Sequence, residues 1–182
     1  MEHLELINDL TERTRKVLKQ AQALQNLPVS KLNEKPQDNA WSALECLEHL
    51  NRYSRFYIPE ISKQLDKGAV NINGKFKSNW LGNYFAKSMS PKTENLNKMK
   101  TFTSMNPIGS DVNIKVVDQF IEDQQAMLEL LKKAKTKDLS KTKTAISISN
   151  WIRLRAGDTF RVVIYHNQRH LIQAMRAAGI WE

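Results

Sequence analysis

Ser42-Ala43-Leu44-Glu45-Cys46-Leu47-Glu48-His49-Leu50-Asn51-Arg52-Tyr53 opens the segment on which the fold turns. A serine followed three residues later by a glutamate is a capping box: the Ser42 hydroxyl accepts the Glu45 amide, and the Glu45 carboxylate reaches back to the Ser42 amide. Beyond it Cys46, Leu50, Tyr53, Phe56, Tyr57 and Ile61 share one broad face at about 100° per residue. Pro59 removes a backbone donor, yet Ile61 and Leu65 keep the period. The helix is therefore expected to kink at Pro59 and run on to Gly68.

Three more long helices follow from the same periodicity. Upstream, Ile7, Leu10, Thr14, Val17, Ala21 and Leu24 step by threes and fours until Asn26-Leu27-Pro28, and a polar link leads to Trp41. Downstream, a third helix is expected from about Asp111 to Ala134, burying Val117, Phe120, Ile121, Leu128 and Leu131. A fourth is expected from Ala156 to Ala178, closed by Gly179. Residues 69–110 read as a long connection punctuated by Asn73-Gly74, Ser90-Pro91, Asn106-Pro107 and Gly109, with a short helix from Ser78 to Met89. Helices of ~23–26 residues are roughly 35–39 Å long. A forty-residue connection can recross that length, whereas antiparallel neighbours need only ~2–8 residues. The second and third helices are thus expected to run parallel, in an all-α, up-down-down-up four-helix bundle.

The chain has 182 residues, 41% hydrophobic and 26% charged, which suits one soluble domain over 1–182 and excludes disorder as the whole answer. Met1-Glu2-His3-Leu4-Glu5 lacks a basic start and an unbroken apolar region, so no signal peptide is expected there, and no apolar run approaches the ~20 residues of a membrane helix. Cys46, the single cysteine, cannot form an internal disulfide, so a cytoplasmic location is expected. The net charge of +9 favours acidic partners. Lys132 to Lys143 carries much of that excess without interleaved aromatics, and reads as a solvated helix end and link rather than a nucleic-acid site.

Four histidines are present: His3, His49, His166 and His170. His166 and His170 lie about 40° apart on one helical face, bracketed by Val162, Val163, Ala174 and Ala177, with Gln173 alongside. Buried neutral imidazoles need hydrogen-bond partners or a metal. His49 sits at the edge of the second helix's apolar face. Three inward histidines with a fourth position open is the donor set of a catalytic zinc site. His3 belongs to a terminus expected to fray and is given no role.

Trp41-Ser42-Ala43-Leu44-Glu45-Cys46-Leu47-Glu48-His49-Leu50, followed by Gly157-Asp158 and His166-Asn167-Gln168-Arg169-His170-Leu171-Ile172-Gln173, resembles the DinB-like (YfiT-like) superfamily across nearly the whole chain. That resemblance implies an up-down-down-up four-helix bundle whose His49, His166 and His170 bind one divalent metal, commonly zinc or nickel. Members of known activity include thiol-cofactor-dependent transferases and a thiol-dependent isomerase, and many have no assigned reaction.

Neighbouring residues have structural readings beside functional ones. Cys46 is a core residue before it is a ligand. Tyr53 can donate a phenolic proton near a metal, or satisfy one buried hydrogen bond. Glu45 can orient His49, though its cap already explains it. Gln173 and Gln124 support the site or bridge helices. Arg153, Arg155, Arg161, Arg169 and Arg176 can grip acidic groups or pair at the surface. Trp80 and Phe85 can form a lid, a cap on the bundle's open end or a homodimer contact.

The function expected is a metal-dependent thiol S-transferase or hydrolase acting on a small molecule, with a low-molecular-weight thiol as a further cofactor. The alternative is a non-catalytic bundle that binds an acidic partner through its basic surface.

Overall fold

The capping box forms as the sequence dictates. In the computed structural model, which describes residues 1–71, 74–91 and 101–181 apart from the Asn150 side chain, Ser42 Oγ accepts the Glu45 N–H at 3.2 Å and Glu45 Oε2 accepts the Ser42 N–H at 2.8 Å. Among the described residues five other helices accompany the one it starts. They are α1 (His3–Gln25), α2 (Val29–Asn33), α4 (Trp80–Met89), α5 (Lys115–Ala134) and α6 (Ala156–Ala177), with α3 spanning Ala43–Lys67. Helix α3 continues through Pro59 because Ile61 and Leu65 are fully buried beyond it. Gly68 ends α3 in extended backbone, whereas Gly179 closes α6 at φ +67°, in the left-handed region where a Cβ is penalised. Asn73, half of the expected Asn-Gly turn, and residues 92–100 lie outside the described residues.

Helix α1 packs on α5 and α6, and α3 packs on the same pair. Two apolar clusters fill the interior. One joins Leu6, Ile7 and Leu10 to Ile61, Leu65, Leu131 and Phe160. The other joins Leu24, Leu44, Leu47, Phe120 and Leu171. The sequence positions left between them are polar: Thr14 on α1, Asn51 and Ser54 on α3, Asp123 and Gln124 on α5, His166 and Asn167 on α6, all buried. A polar layer across an apolar core must satisfy its own groups, and this layer carries His166.

Several expectations are corrected. His3 does not fray: it is buried, and its Nε2 lies 3.0 Å from the Ala134 carbonyl. The terminus is pinned because the His3 N–H donates to Gly74 O and the Phe76 N–H to Met1 O, both at 3.2 Å. Helix α5 starts at Lys115 rather than Asp111, where the Asn113 side chain takes the Lys115 amide at 3.0 Å. Within α5, Met127 and Leu130 join the core while Ile121 and Leu128 are half-buried. The polar link before Trp41 holds α2, whose Leu32 is fully buried.

The lysine-rich link is not all coil. Strands β1 (Lys143–Ile146) and β2 (Ser149–Arg155) pair antiparallel, with Thr144 opposite Leu154 and a register slip after Ala145. Thr144, Ile146 and Leu154 are buried while Lys143 and Arg153 face out, a period of two that the surrounding lysines mask. The hairpin is anchored to α3 by Glu60, which accepts the Ala145 N–H at 2.8 Å. Thr144 and Thr159, their hydroxyls 2.6 Å apart, join it to α6. Among the described residues the fold is thus mostly helical with one two-stranded sheet, not purely α. Among the described residues no helix is long and apolar enough to cross a membrane.

Helix α4 begins two residues later than expected because Asn79 caps it, accepting the Gly82 N–H at 2.7 Å. It docks on α6 through buried Asp158, whose Oδ1 accepts from Ser78 Oγ at 2.6 Å and from Arg161 Nη1 at 3.0 Å. Arg161 Nη2 also reaches Asn83 at 3.1 Å. A Cβ at Gly82 would overlap the Asp158 carboxylate. Gly82→Ala is therefore expected to destabilise the chain by about 1–3 kcal/mol, seen as a lower denaturant midpoint.

Candidate metal centre

His49 stands in the second turn of α3, and His166 and His170 one turn apart on α6. Helix packing brings one ring nitrogen from each to within 4.8 Å of the others. The closest pair is His49 Nε2 and His166 Nε2, at 3.2 Å. Hydrogen bonds fix which nitrogens face inward. His49 Nδ1 lies 2.7 Å from the Met105 carbonyl, which only accepts, so Nδ1 holds the proton and Nε2 keeps its lone pair. His170 Nδ1 donates in the same way to Gln173 Oε1 at 2.9 Å. Holding the outer nitrogen of a histidine to a carbonyl is the usual means of orienting a metal ligand.

Charge favours the same reading. Burial pushes His49 down to about 4, against the opposing Met105 bond, and pushes His170 down to about 3, with His49 adding to the effect. His166 falls well below its ordinary value through burial and then through its two neighbours. All three rings are neutral at pH 7, the form that ligates metals. Two nitrogens on one tetrahedral zinc at ~2.05 Å would lie about 3.3 Å apart, close to the His49–His166 separation. The donor set fits a divalent metal.

A sequence model of the DinB superfamily matches residues 10–174, a span that holds all three histidines. The chain belongs to the DinB superfamily. No curated protein and no solved structure matches it.

In this DinB-superfamily chain the histidines sit in the wall of a cavity of about 900 Å³. Its aromatic lining comes from Trp41, Tyr53, Tyr57, Tyr84, Phe85 and Phe102. Its charged lining among the described residues is Arg169, Arg176 and Asp38. Trp41 packs 4.7 Å from the His49 ring and 5.6 Å from His170. Tyr53 stands edge-on to His49 at 5.0 Å and to His166 at 4.7 Å, and burial pushes its phenol up to about 12, so it keeps its proton.

The other singled-out residues take different places. Gln173 touches His170, whereas Gln124 accepts from Asn167 Nδ2 at 3.1 Å and so links α5 to α6. Glu45 is held by its cap and by Lys35 at 2.9 Å. Cys46 is fully buried, and desolvation pushes its thiol far up, away from nucleophilic character. Arg161 serves the α4 dock, and Arg155 bonds the Lys77 carbonyl. Phe85 lines the cavity, while Trp80 stands in solvent.

Two contributors escaped sequence reading. The Met105 carbonyl belongs to a 3₁₀ turn (Thr103–Met105), and a backbone acceptor leaves no side-chain signature. Arg52 holds that turn in place. It reaches the Asn106 carbonyl and Ser110 Oγ at 2.7 Å each, and Ser104 O at 3.4 Å, while Glu48 fixes its Nε at 2.9 Å. An arginine one turn after a candidate ligand was the available signal.

Proposed function

We propose that His49, His166 and His170 bind one divalent metal ion, zinc or nickel, and that the cavity beside them works on a small molecule as a thiol S-transferase or hydrolase. The observation that carries this reading is the convergence of three neutral imidazoles, two of them with Nδ1–H bonded to oxygen so that Nε2 is presented inward. A divalent ion there supplies a Lewis acid that lowers the pKa of a thiol or a water. The chain's own residues do the rest. Trp41 packs against two of the rings and helps hold them in place, and the protonated Tyr53 phenol can donate to an anion in the cavity. Arg169 and Arg176 lend the cavity positive charge that suits an acidic thiol or acid substrate. A volume near 900 Å³ suits a ligand of cofactor size.

The scaffold of this reading is a single domain with up-down-down-up topology. Asn51 Nδ2 bonds the Val116 carbonyl near the starts of α3 and α5, and Lys133 pairs with Asp66 near their ends. Those contacts support a parallel pair. Gln25 bonds Asp118 and His3 bonds Ala134, linking opposite ends of α1 and α5 as antiparallel neighbours would. The lone buried Cys46 suits a cytoplasmic setting.

Elemental analysis of untagged protein, purified without chelators, tests the metal reading. Near one equivalent of zinc or nickel is expected, and none after incubation with either ion and desalting would overturn it. Arg52→Ala should free the 104–110 turn and loosen the Met105–His49 bond, weakening metal binding by about 10- to 100-fold. Arg52→Lys should rescue little of this, because an ammonium cannot span several acceptors as the guanidinium does. Competition with a chromophoric chelator reads both variants.

A further inference from the structure

The cavity opens through a rim that carries exposed apolar side chains beside the polar 36–39 loop and Arg176. Tyr84, Phe102 and Ile148 line it, yet they are 59%, 53% and 43% exposed. Trp80, 81% exposed, stacks on Tyr84 at 6.1 Å between ring centroids. Trp151 is 93% exposed, three residues from Ile148 on the same hairpin. Tryptophan is among the residues most buried on average, and an exposed aromatic cluster marks an interaction surface.

Charge says what kind of surface it meets. Helix α4 and the hairpin contact each other and supply one side of the mouth, and among the described residues the only acidic one lining it is Asp38, in the exposed 36–39 loop. Their segments, 77–91 and 143–157, carry Lys77, Lys87, Lys143, Arg153 and Arg155 and no Asp or Glu. A second copy of the chain would set these cations against themselves in a two-fold interface. Nucleic acid would find aromatics to stack on, but the aliphatic Ile148 beside them offers a base no ring to stack on. Exposed tryptophan, tyrosine and aliphatic side chains flanked by lysine and arginine are the chemistry of a protein surface resting on anionic lipid.

We infer that the exposed side chains beside the cavity mouth, Trp80, Tyr84, Phe102 and Ile148, together with Trp151 and the cations of α4 and the hairpin, dock this chain on an anionic lipid surface without spanning it. The docking does not depend on a metal at the histidines, so it stands or falls separately from the metal reading.

The test is co-sedimentation of the full chain with vesicles of pure phosphatidylcholine and of a phosphatidylcholine–phosphatidylglycerol mixture, in low and high salt. Binding to the anionic mixture alone, released by salt, is expected. The Trp80→Ala/Trp151→Ala double variant and the Lys87→Glu/Lys143→Glu/Arg153→Glu triple variant should each weaken it by at least about tenfold. All five positions are exposed, so circular dichroism should match the parent. The parent comparison between lipids and salts needs no variant at all. Three results would overturn the inference: equal or absent binding to the two vesicle types at low salt, a dimer in light scattering that dissociates in the double tryptophan variant, or tighter binding to single-stranded DNA or RNA than to the anionic vesicles.

Discussion

His166→Ala is expected to cut zinc affinity by more than about 100-fold while leaving a folded chain. Disturbing a residue that merely orients a ligand costs 10- to 100-fold, and removing a ligand should cost more. His166 touches both other members: its Nε2 is 3.2 Å from that of His49, and its ring centroid is 4.6 Å from that of His170. The fold should tolerate the change because the two apolar clusters on either side of this layer do not include His166. His3→Ala supplies the contrast. That ring bonds the Ala134 carbonyl far from the other histidines, so its loss should leave metal binding intact and cost about 1–3 kcal/mol of stability for an unpaired buried carbonyl. Metal titration and denaturant melts on the two variants separate the roles. Unchanged metal binding in a folded His166→Ala chain would remove the three-histidine site.

The second large effect is loss of the metal-free fold in mild acid. In the unfolded chain a histidine titrates near 6.5, whereas in the fold His49 lies at about 4 and His170 at about 3, with His166 also far down. Their folded values are depressed, so below pH 6.5 the unfolded state takes up protons that the folded state refuses. The stability is fully present above pH 6.5 and is lost as pH falls toward 4 and then 3. Each ring contributes up to about 1.36 kcal/mol per pH unit in that window, which for His49 alone amounts to about 3 kcal/mol. Set against a typical total of 5–15 kcal/mol, three rings together should unfold the metal-free protein between about pH 6 and 4. Asp123 works in the opposite sense: burial raises its carboxyl, so its share grows as pH falls through the carboxylate range. Denaturant midpoints at pH 7 and pH 5 give the slope, and His170→Gln should flatten it. Bound zinc competes with the protons and should move the transition to lower pH. A midpoint independent of pH in the metal-free chain would show that the three rings are not desolvated as described.

The long helices were readable because each needs only local chemistry. Ser42 and Glu45 start α3, the three-and-four spacing of Leu10, Val17, Ala21 and Leu24 keeps α1 amphipathic, and Gly179 ends α6. The hairpin was missed because its signal is the brief alternation of Thr144, Ile146 and Leu154, set among lysines that read as solvated coil. The burial of His3 was missed for a related reason. Its partners, Gly74 and Ala134, lie far away in sequence, and nothing local predicts that a terminus is pinned.

The site divides along the same line. Local sequence determined that His166 and His170 share a face of α6, because a helix places residues four apart on one side. It also put His49 on the border of the apolar face of α3, and it determined the cap, the helix ends and the charge of the 77–91 and 143–157 segments. Tertiary packing alone decided that His49 Nε2 meets His166 Nε2 at 3.2 Å, that Met105 takes the far nitrogen of His49, and that Gln124 turns to Asn167 instead. It also gathered Tyr84, Phe102 and Ile148 at one opening. The reason is one of range. Periodicity and capping act over one or two helical turns, whereas a convergence of nitrogens or a cavity rim is set by the distance and rotation between elements, which depend on the volume of every side chain packed between them.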